Sequence, residues 1–415
     1  MMSLHSRREL LAAVRPRYRK SNRVAKRSIL DEFTAATGYQ RKYAIALLNR
    51  LPVAKSAAKE KRARKTRPRI YDAKVQEALQ IVWEIENRPC GKRLVPFLPA
   101  LIDALSRHGE IHWDKAVTDK LLAMSAATAD RLLKAARASG GLRGKTTTKP
   151  GTLLKSQIPI RTFSEWDDGR PGFFEVDLVA HCGDTTRGDY VNTLTLTDVA
   201  TQWTECLSLR SRSQIAVSEA VVLARKLLPF AMLGLDSDNG SEFINATLLR
   251  YCQDENITFT RSRAYKKNDQ CRVEQKNWSI VREHVGYDRM ETDREHTLLR
   301  TLYATLRLYV NFFQPSLKLT HKERFGAKVK KQYDKARTPY QRVVESAVLT
   351  DEQAKALKEQ YESLNPVQLW RQLGKEKERL WGAVKKRNEA EPTNTLQHID
   401  DVVHPATAST SQQSN

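Results

Sequence analysis

The sequence predicts a multidomain protein with an N-terminal all-α region, a central α/β domain built on a mixed five-stranded sheet, and a mostly helical C-terminal region. Three observations lead to this fold class. Apolar residues recur at helical spacing up to about residue 140, runs of β-branched and aromatic residues begin at residue 173, and helical spacing returns near residue 291. The chain of 415 residues is long enough for roughly two to four domains with proper cores.

The composition already excludes several classes of protein. No run of about 18 apolar residues is present, and the N-terminus lacks the apolar stretch and cleavage site of a signal peptide. We therefore expect a soluble, intracellular protein. The five cysteines, an odd number without zinc-finger spacing, are expected to be reduced and mostly buried.

Basic residues are concentrated at the front of the chain. Residues 1–70 hold 20 Lys or Arg against 4 acidic residues, a net +16, whereas the remaining 345 residues carry 51 against 44, or +7. Charge of one sign on one region favours binding to a polyanion such as nucleic acid. Residues 59–70 form a predicted basic linker that follows a DNA backbone or enters a minor groove, and a linker that only confers solubility is the alternative. The predicted DNA-contacting residues of this linker are Arg62, Arg64, Lys65 and Arg67.

Residues 1–58 are predicted to contain a helix-turn-helix. Apolar residues recur at helical spacing over residues 26–36 and again over residues 40–50, and Gly38 interrupts the pattern between them. In a helix-turn-helix the second helix enters the major groove with its N-terminal residues. The residues at that position are Gln40, Arg41 and Lys42, which are suited to base edges and phosphates. A helical hairpin that only packs against its surroundings gives the same periodicity.

Residues 71–140 form a second predicted helical domain. Its last helix has Ser125 as a predicted N-cap, with basic residues on the outward face. A second DNA-reading helix and a helix that only packs are equally consistent with this pattern. Residues 141–170 hold glycines, threonines and prolines without a lasting period, which is typical of a linker.

Residues 171–290 are predicted to form the α/β domain. The predicted strands cover residues 173–179, 190–199 and 202–209, a short apolar run ending near Asp236, and residues 257–261. The predicted helices cover residues 213–228 and 241–255, and a third begins near residue 272. Three strands in a meander followed by strand and helix alternation are typical of an α/β domain with a mixed sheet.

The C-terminal region, residues 291–390, is predicted to be mostly helical. One helix ends before Pro315, and another starts at a capping box formed by Thr350 and Gln353. Residues 391–415 are polar and without periodicity, so we expect a disordered tail.

Three carboxylates of the α/β domain are candidates for metal-dependent chemistry. Asp177 lies inside an apolar strand, where an unpaired charge is costly unless a cation relieves it. Asp238 directly follows an apolar strand, at the end where open α/β sheets bind ligands. Glu274 lies near the start of a helix. Together they are suited to two divalent cations for in-line phosphoryl displacement, although an N-cap or a salt bridge is the usual role of any one acidic residue.

The residues around these carboxylates resemble a known family. The sequence FEVDLVAHCG contains Asp177, SDNGSEF at 237–243 contains Asp238, and CRVEQKNWS at 271–279 contains Glu274. With 35 residues between the last two acids, the pattern resembles the integrase-type catalytic core of DDE transposases and retroviral integrases, which have a ribonuclease H-like fold. The resemblance covers about residues 170–290 and extends loosely to YVNFFQPSLKL at 309–319, which is similar to transposases of bacterial insertion sequences.

The resemblance implies that Asp177, Asp238 and Glu274 are catalytic and hold Mg²⁺ or Mn²⁺, with two ions expected. It also implies hydrolysis of the phosphodiester at the ends of an insertion sequence, followed by strand transfer into target DNA. The implied partners are double-stranded DNA and further copies of the chain, in the bacterial cytoplasm with the nucleoid. Asp236 and Asp269 are the alternative candidates for the metal ligands. The alternative functions are a catalytically inactive DNA-binding regulator and a nuclease that cuts without joining. Further predicted phosphate contacts near the Glu274 helix are Lys266, Lys267 and Lys276, for which solvated charges are the alternative.

Overall fold

The computed structural model describes residues 2–50, 70–137, 169–262, 270–326 and 328–390. These residues divide into two compact units, Met1–Ile70 and Tyr71–Asn415. The predicted linker contacts Arg62, Arg64, Lys65 and Arg67 lie outside the described residues. The same holds for most of the predicted linker 141–170 and for the predicted tail 391–415.

The N-terminal unit contains three helices around a small core. They are α1 (Leu4–Lys20), α2 (Arg23–Thr37) and α3 (Arg41–Asn49). Gly38 ends α2 with a φ of 69°, a left-handed conformation that glycine adopts without a steric cost. The helices α2 and α3 lie where the apolar spacing predicted them, whereas α1 has no counterpart among the predicted helices. The core residues of this unit are Tyr18, Ile29, Leu30, Phe33, Ala44 and Leu48.

The second unit begins with short helices that share the core of the rest of that unit. They are α4 (Ala73–Ile85), α5 (Gly91–Arg107), α6 (Lys115–Leu122), α7 (Ala126–Leu132) and α8 (Lys134–Arg137). The Ser125 hydroxyl accepts a hydrogen bond from the Thr128 N–H and so caps α7, as the sequence predicts. The predicted separate domain 71–140 differs from the structure, because Trp83 and its neighbours belong to the same apolar cluster as the central sheet.

A mixed five-stranded sheet forms the centre of the second unit. Its strands are β1 (Phe173–Ala180), β2 (Asn192–Asp198), β3 (Thr204–Leu209), β4 (Gly234–Ser237) and β5 (Thr258–Arg261). The strand order is β3-β2-β1-β4-β5. The first three strands form an antiparallel meander, and β4 and β5 continue the sheet in parallel to β1. The predicted mixed five-stranded sheet is therefore confirmed.

The helices of this region lie between β3 and β5 or follow β5. They are α9 (Gln214–Leu227), α10 (Ala246–Asp254), α11 (Cys271–Lys276), a π-helix (Asn277–Arg282) and α12 (Glu283–Val285). The helix predicted from residue 241 begins later, because residues 241–245 form a turn and the Asn245 side chain caps α10 by accepting from the Leu248 N–H. The π-helix directly follows α11, so the helical phase changes just after Glu274.

Helices dominate the C-terminal region, as predicted, but a two-stranded ribbon interrupts them. The helices are α13 (Asp293–Phe313), α14 (Pro339–Glu345), α15 (Asp351–Ser363) and α16 (Pro366–Ala390), and the strands are β6 (Leu319–Phe325) and β7 (Lys328–Tyr333). The Thr350 and Gln353 capping box is present at the start of α15. The ribbon was not among the predicted elements, because its strands lack an alternation of apolar and polar residues.

Among the described residues, every helix is too short or too polar to cross a bilayer.

Candidate active site

Two aspartates lie at the same level of neighbouring parallel strands. In the register of β1 and β4, Val176 lies opposite Ser237. Asp177 is the next residue of β1, and Asp238 is the residue that directly follows the carboxyl end of β4. Because adjacent strands lie about 4.8 Å apart, this register brings the two carboxylates side by side.

The electrostatics of Asp177 reflect this arrangement. Burial, together with the charges of Asp238 and Glu274, raises the pKa of Asp177 to about 7 against two opposing hydrogen bonds. Its Oδ1 accepts from the Leu178 N–H at 2.8 Å, and its Oδ2 accepts from the Asn277 side-chain amide at 2.7 Å. The charges of both other predicted catalytic carboxylates therefore act on Asp177, and the Asn277 amide fixes its orientation.

A tight turn fixes the carboxylate of Asp238. Its Oδ1 accepts from the Gly240 N–H at 2.8 Å. A Cβ at Gly240 would lie 2.8 Å from that same oxygen and 2.7 Å from Cδ of Glu242, so a larger residue does not fit without displacing the carboxylates. Burial raises the pKa of Asp238, and the charge of Glu242 adds to this effect. The turn is also tied to the sheet, because the Asn239 side-chain amide donates to the Ser262 carbonyl at 2.9 Å.

A fourth acid, Glu175, holds the start of α11, the helix that carries Glu274. Glu175 is buried in β1 and lies two residues before Asp177, so both side chains point to the same face of the sheet. Its carboxylate accepts from the N–H groups of Arg272 and Val273 at 2.9 and 3.0 Å and from the Arg272 guanidinium at 3.0 Å. Glu274 is exposed in the first turn of this anchored helix.

Sequence reasoning missed both Glu175 and Asn277. A signal for Glu175 was present, since an acid two residues before Asp177 in an apolar strand must face the same side and find a partner. Asn277 lies three residues after Glu274, one helical turn along the same face, which places its amide near the carboxylates.

The competing acid Asp236 is buried within the sheet and hydrogen-bonded to its neighbours. Its side chain is fully buried, and its Oδ1 accepts from the Thr260 hydroxyl on β5 at 2.6 Å. Its carbonyl accepts from the Gln270 side-chain amide at 3.2 Å, which ties β4 to the residue before α11. The other competing acid, Asp269, lies outside the described residues.

The predicted DNA contacts have different positions. Gln40, Arg41 and Lys42 are exposed at the start of α3, and the Arg41 guanidinium forms an ion pair with Asp31. Lys266 and Lys267 lie outside the described residues.

The prediction that Lys276 contacts phosphate is at odds with its position. Lys276 shares the inward face of its helix with Val273 and Ile280 and is buried. Burial, together with the charges of Arg93 and Arg342, lowers the pKa of Lys276 to about 7. The Lys276 side chain is therefore out of reach of a phosphate in solvent, and its lowered pKa weakens its positive charge at neutral pH.

The comparisons with known proteins place the chain in a family. No family model matches it. The chain is 45% identical over 334 residues to the "Uncharacterized protein y4rM" of Sinorhizobium fredii (strain NBRC 101917 / NGR234), an alignment that covers 80% of this chain and 93% of the relative. The chain therefore belongs to the family of that protein.

Solved structures with partial similarity are catalytic cores of retroviral integrases. The catalytic core domain of HTLV-2 integrase in complex with magnesium, in a dimeric form, is 14% identical with a TM-score of 0.27, covering 35% of this chain and 90% of that one. The catalytic core domain of BIV integrase is 16% identical with a TM-score of 0.28, covering 42% of this chain and 95% of that one. Similarity at this level does not assign a function.

Proposed function

We propose that this protein is a DNA transposase of the DDE type, which binds the ends of an insertion sequence and catalyses metal-dependent phosphodiester hydrolysis and strand transfer. The observation that carries the proposal is the position of Asp177 and Asp238 at the same level of two neighbouring parallel strands, with the charge of Glu274 acting on Asp177. A buried carboxylate that is repelled by two further acids, beside the carboxyl end of a parallel strand, is typical of a site built for cations.

The donor set fits Mg²⁺ or Mn²⁺, because both are hard cations that prefer carboxylate oxygens. Asp177, Asp238 and Glu274 would hold the metal, and we propose two ions. Within the described ranges, no three His, Cys, Asp or Glu side chains are gathered closely enough to form a complete metal site. When bound, such ions lower the pKa of a water nucleophile and stabilise the leaving oxygen.

The residues of this chain prepare the site for that chemistry. Asn277 donates to one oxygen of Asp177, and Gly240 donates to one oxygen of Asp238, so each carboxylate keeps a fixed orientation. Glu175 fixes the amino end of the helix that carries Glu274. The chain thereby orients the carboxylates of Asp177 and Asp238 and anchors the start of the helix that carries Glu274.

The proposed substrate is double-stranded DNA. Residues 1–70 carry a net charge of +16, and the described part of this segment presents Gln40, Arg41 and Lys42 on the surface of a three-helix unit. Neutralising phosphates releases counterions, which supplies most of the sequence-independent affinity for DNA. We propose that copies of the chain assemble on DNA, because two element ends must be joined to one target.

Cleavage and joining of a labelled duplex that carries the end of the flanking element test the proposal. Wild-type protein is compared with Asp238→Asn and Glu274→Gln in Mg²⁺, Mn²⁺ and EDTA, with Asp254→Asn as a matched control at an exposed position of α10. We expect metal-dependent nicking and joining in the wild type and the control, and loss of both with retained DNA binding in the two site variants.

Three results would overturn the proposal or a part of it. Binding without metal-dependent chemistry in the wild type would identify a DNA-binding regulator with an inactive core. Nicking without joining would identify a nuclease. Cleavage retained by Glu274→Gln would show that a different carboxylate serves the reaction.

A further inference from the structure

The strands β6 and β7 and the turn between them form a strongly basic segment, here named the basic ribbon and comprising residues 318–333. It holds six Lys or Arg residues against one acid, Glu323. All side chains of its two strands that the structure describes are exposed. A two-stranded ribbon that buries neither face has no core of its own, and such ribbons are marginally stable in isolation. Its structure therefore depends on what holds its base, and its exposed faces are available to a partner.

On one face of the basic ribbon, every charged side chain that the structure describes is a Lys or an Arg. In the register of the two strands, Lys322 lies directly opposite Lys331, and Arg324 follows on the same face. Like charges directly opposite each other destabilise a strand pair. Glu323 lies on the other face, opposite Lys330. An anion bound along the first face would relieve the repulsion between Lys322 and Lys331.

An ion pair and several hydrogen bonds hold the base of the basic ribbon. The Asp334 Oδ1 accepts from the Lys318 N–H at 2.7 Å, and its Oδ2 accepts from the buried Arg342 guanidinium at 2.6 Å. The same guanidinium donates to the Ser316 carbonyl at 3.0 Å, and Arg93 donates to the Pro315 carbonyl at 2.7 Å. A buried ion pair with hydrogen bonds to both approaching strands fixes the direction in which the ribbon leaves the second unit.

The ribbon starts at the end of the sheet opposite to the catalytic carboxylates. The Lys318 Nζ donates to the carbonyl of Ala200, which lies in the turn between β2 and β3. This turn follows Asp198, which pairs with Phe174 near the start of β1. Asp177 lies three residues further along β1, about 10 Å away at roughly 3.3 Å per residue. A ligand on the ribbon would thus contact a part of the molecule separate from the proposed active site.

We propose that the basic ribbon is a second binding surface for duplex DNA, which contacts the phosphates of a segment away from the cut site through Lys322, Arg324 and Lys331. This inference rests on the proposed function for the identity of the polyanion. A two-stranded ribbon fits the major groove of B-DNA, and each strand, about 20 Å long, can follow the phosphates along its edge. A second copy of the chain is a poor occupant, because the whole chain carries a net +23.

DNA affinity of the full chain, measured by fluorescence anisotropy in EDTA over a range of salt concentrations, tests the inference. The triple variant Lys322→Ala/Arg324→Ala/Lys331→Ala is compared with Lys355→Ala/Lys358→Ala/Lys385→Ala. The control removes the same charge from exposed lysines that pair with glutamates on α15 and α16. The single variant Lys331→Glu provides a second test with one substitution.

For the ribbon variant we expect at least about a tenfold weaker affinity at 0.1 M salt and a salt slope reduced by about 0.9 for each phosphate that the variant no longer neutralises. The control should stay within about twofold of wild type, and melting temperatures should be unchanged. Because the assay contains no divalent metal, its result is independent of whether the chain cleaves DNA.

An affinity and a salt slope equal to those of the control would overturn the inference. A change in oligomeric state by light scattering, with unchanged DNA affinity, would overturn it as well and identify the ribbon as an interface between copies. Absence of metal-dependent cleavage in the wild type, with the expected loss of affinity in the ribbon variant, would leave the DNA surface standing and remove the proposed transposase function alone.

Discussion

At the scale of single residues, Glu175 offers a test of how the site is positioned. Its carboxylate holds two backbone N–H groups of α11 and the Arg272 guanidinium. In Glu175→Gln an acceptor oxygen remains for the backbone, but the charge that pairs with Arg272 is lost. We expect a roughly 10- to 100-fold lower rate of metal-dependent cleavage, the range for residues that orient metal ligands, and a higher metal concentration for half-maximal rate.

The controls for this prediction separate positioning from folding. DNA affinity in EDTA should be unchanged in Glu175→Gln. Glu175→Ala should lose both activity and several kcal/mol of stability, because it removes the buried carboxylate that pairs with Arg272 and accepts from the first N–H groups of α11. If Glu175→Gln had a wild-type rate and a wild-type metal dependence, the contact would serve stability and not the position of Glu274.

Residue positions also show what the sequence could predict of the site. Asp177 and Asp238 were predicted from the apolar strands beside them, and each follows one residue of the Val176 and Ser237 pair in the register of β1 and β4. Lys276 was misplaced although its helix gave a signal, since Val273, Lys276 and Ile280 recur at helical spacing and share one buried face. The sequence signals for Glu175 and Asn277 did not identify their partners, because the hydrogen bonds from Arg272 to Glu175 and from Asn277 to Asp177 each join residues about 100 positions apart.

At the scale of elements, α3 is the predicted DNA-reading helix of the N-terminal unit. The variant Arg41→Ala/Lys42→Ala removes two exposed charges at its amino end. We expect a roughly 10-fold or greater loss of affinity for the element end in a mobility-shift titration, because binding weakens with each phosphate or base that no longer has a partner on the helix.

The ion pair between Arg41 and Asp31 supplies a matched control for this helix. Asp31→Asn releases the guanidinium from its partner, so we expect equal or tighter binding to the same duplex. Affinity that stays at the wild-type value in Arg41→Ala/Lys42→Ala would show that α3 packs without reading DNA.

The end of α4 contains a buried acid whose ionisation couples stability to pH. Glu86 is fully buried, and burial raises its pKa well above the ordinary value of 4.5, against a smaller opposing effect of Arg93. A raised pKa in the folded state means that the contribution of Glu86 to stability is present below pH 4.5 and is lost as the pH rises towards the folded pKa. We expect Glu86→Gln to match the wild type near pH 4 and to be more stable near pH 8, by about 1–3 kcal/mol.

Thermal unfolding at the two pH values measures this difference. Glu77→Gln, an exposed position on the same helix, should show no dependence on pH beyond that of the wild type. A stability difference between Glu86→Gln and the wild type that is the same at both pH values would mean that the pKa of Glu86 is not raised in the folded state.

The sequence predicted the helices and strands that local residues specify, and it did not predict those that depend on distant contacts. The five strands of the sheet carry apolar and β-branched runs, and Thr350 begins α15 with a capping box, so local chemistry specifies both. The basic ribbon is held at its base by Asp334, Arg342 and the Lys318 side chain, and its strands show no period of two in hydrophobicity. The π-helix after Glu274 has no local pattern that distinguishes it from an α-helix.

At the scale of the whole molecule, charge and core are distributed unequally between the two compact units. Residues 1–70 hold +16 of the net +23, but the described part of this unit has six buried apolar residues in its core. The remaining chain has a large core that extends from Val75 to Val384 and includes the sheet. Since the two clusters share no residue, each unit is expected to fold around its own core, the smaller one with the lower stability.

A chain that begins at Tyr71 tests this division. We expect calorimetry of the full chain to show a small early transition and a large later one, and the shortened chain to retain the later one at an unchanged temperature. The shortened chain should keep metal-dependent nicking at high DNA concentration, because Asp177, Asp238 and Glu274 all lie in the larger unit. Its DNA affinity should fall, and its salt slope should decrease by about 0.9 for each phosphate that residues 1–70 neutralise in the full chain. A melting temperature lowered by more than a few degrees, or aggregation of the shortened chain, would mean instead that the larger core depends on the first 70 residues for its stability.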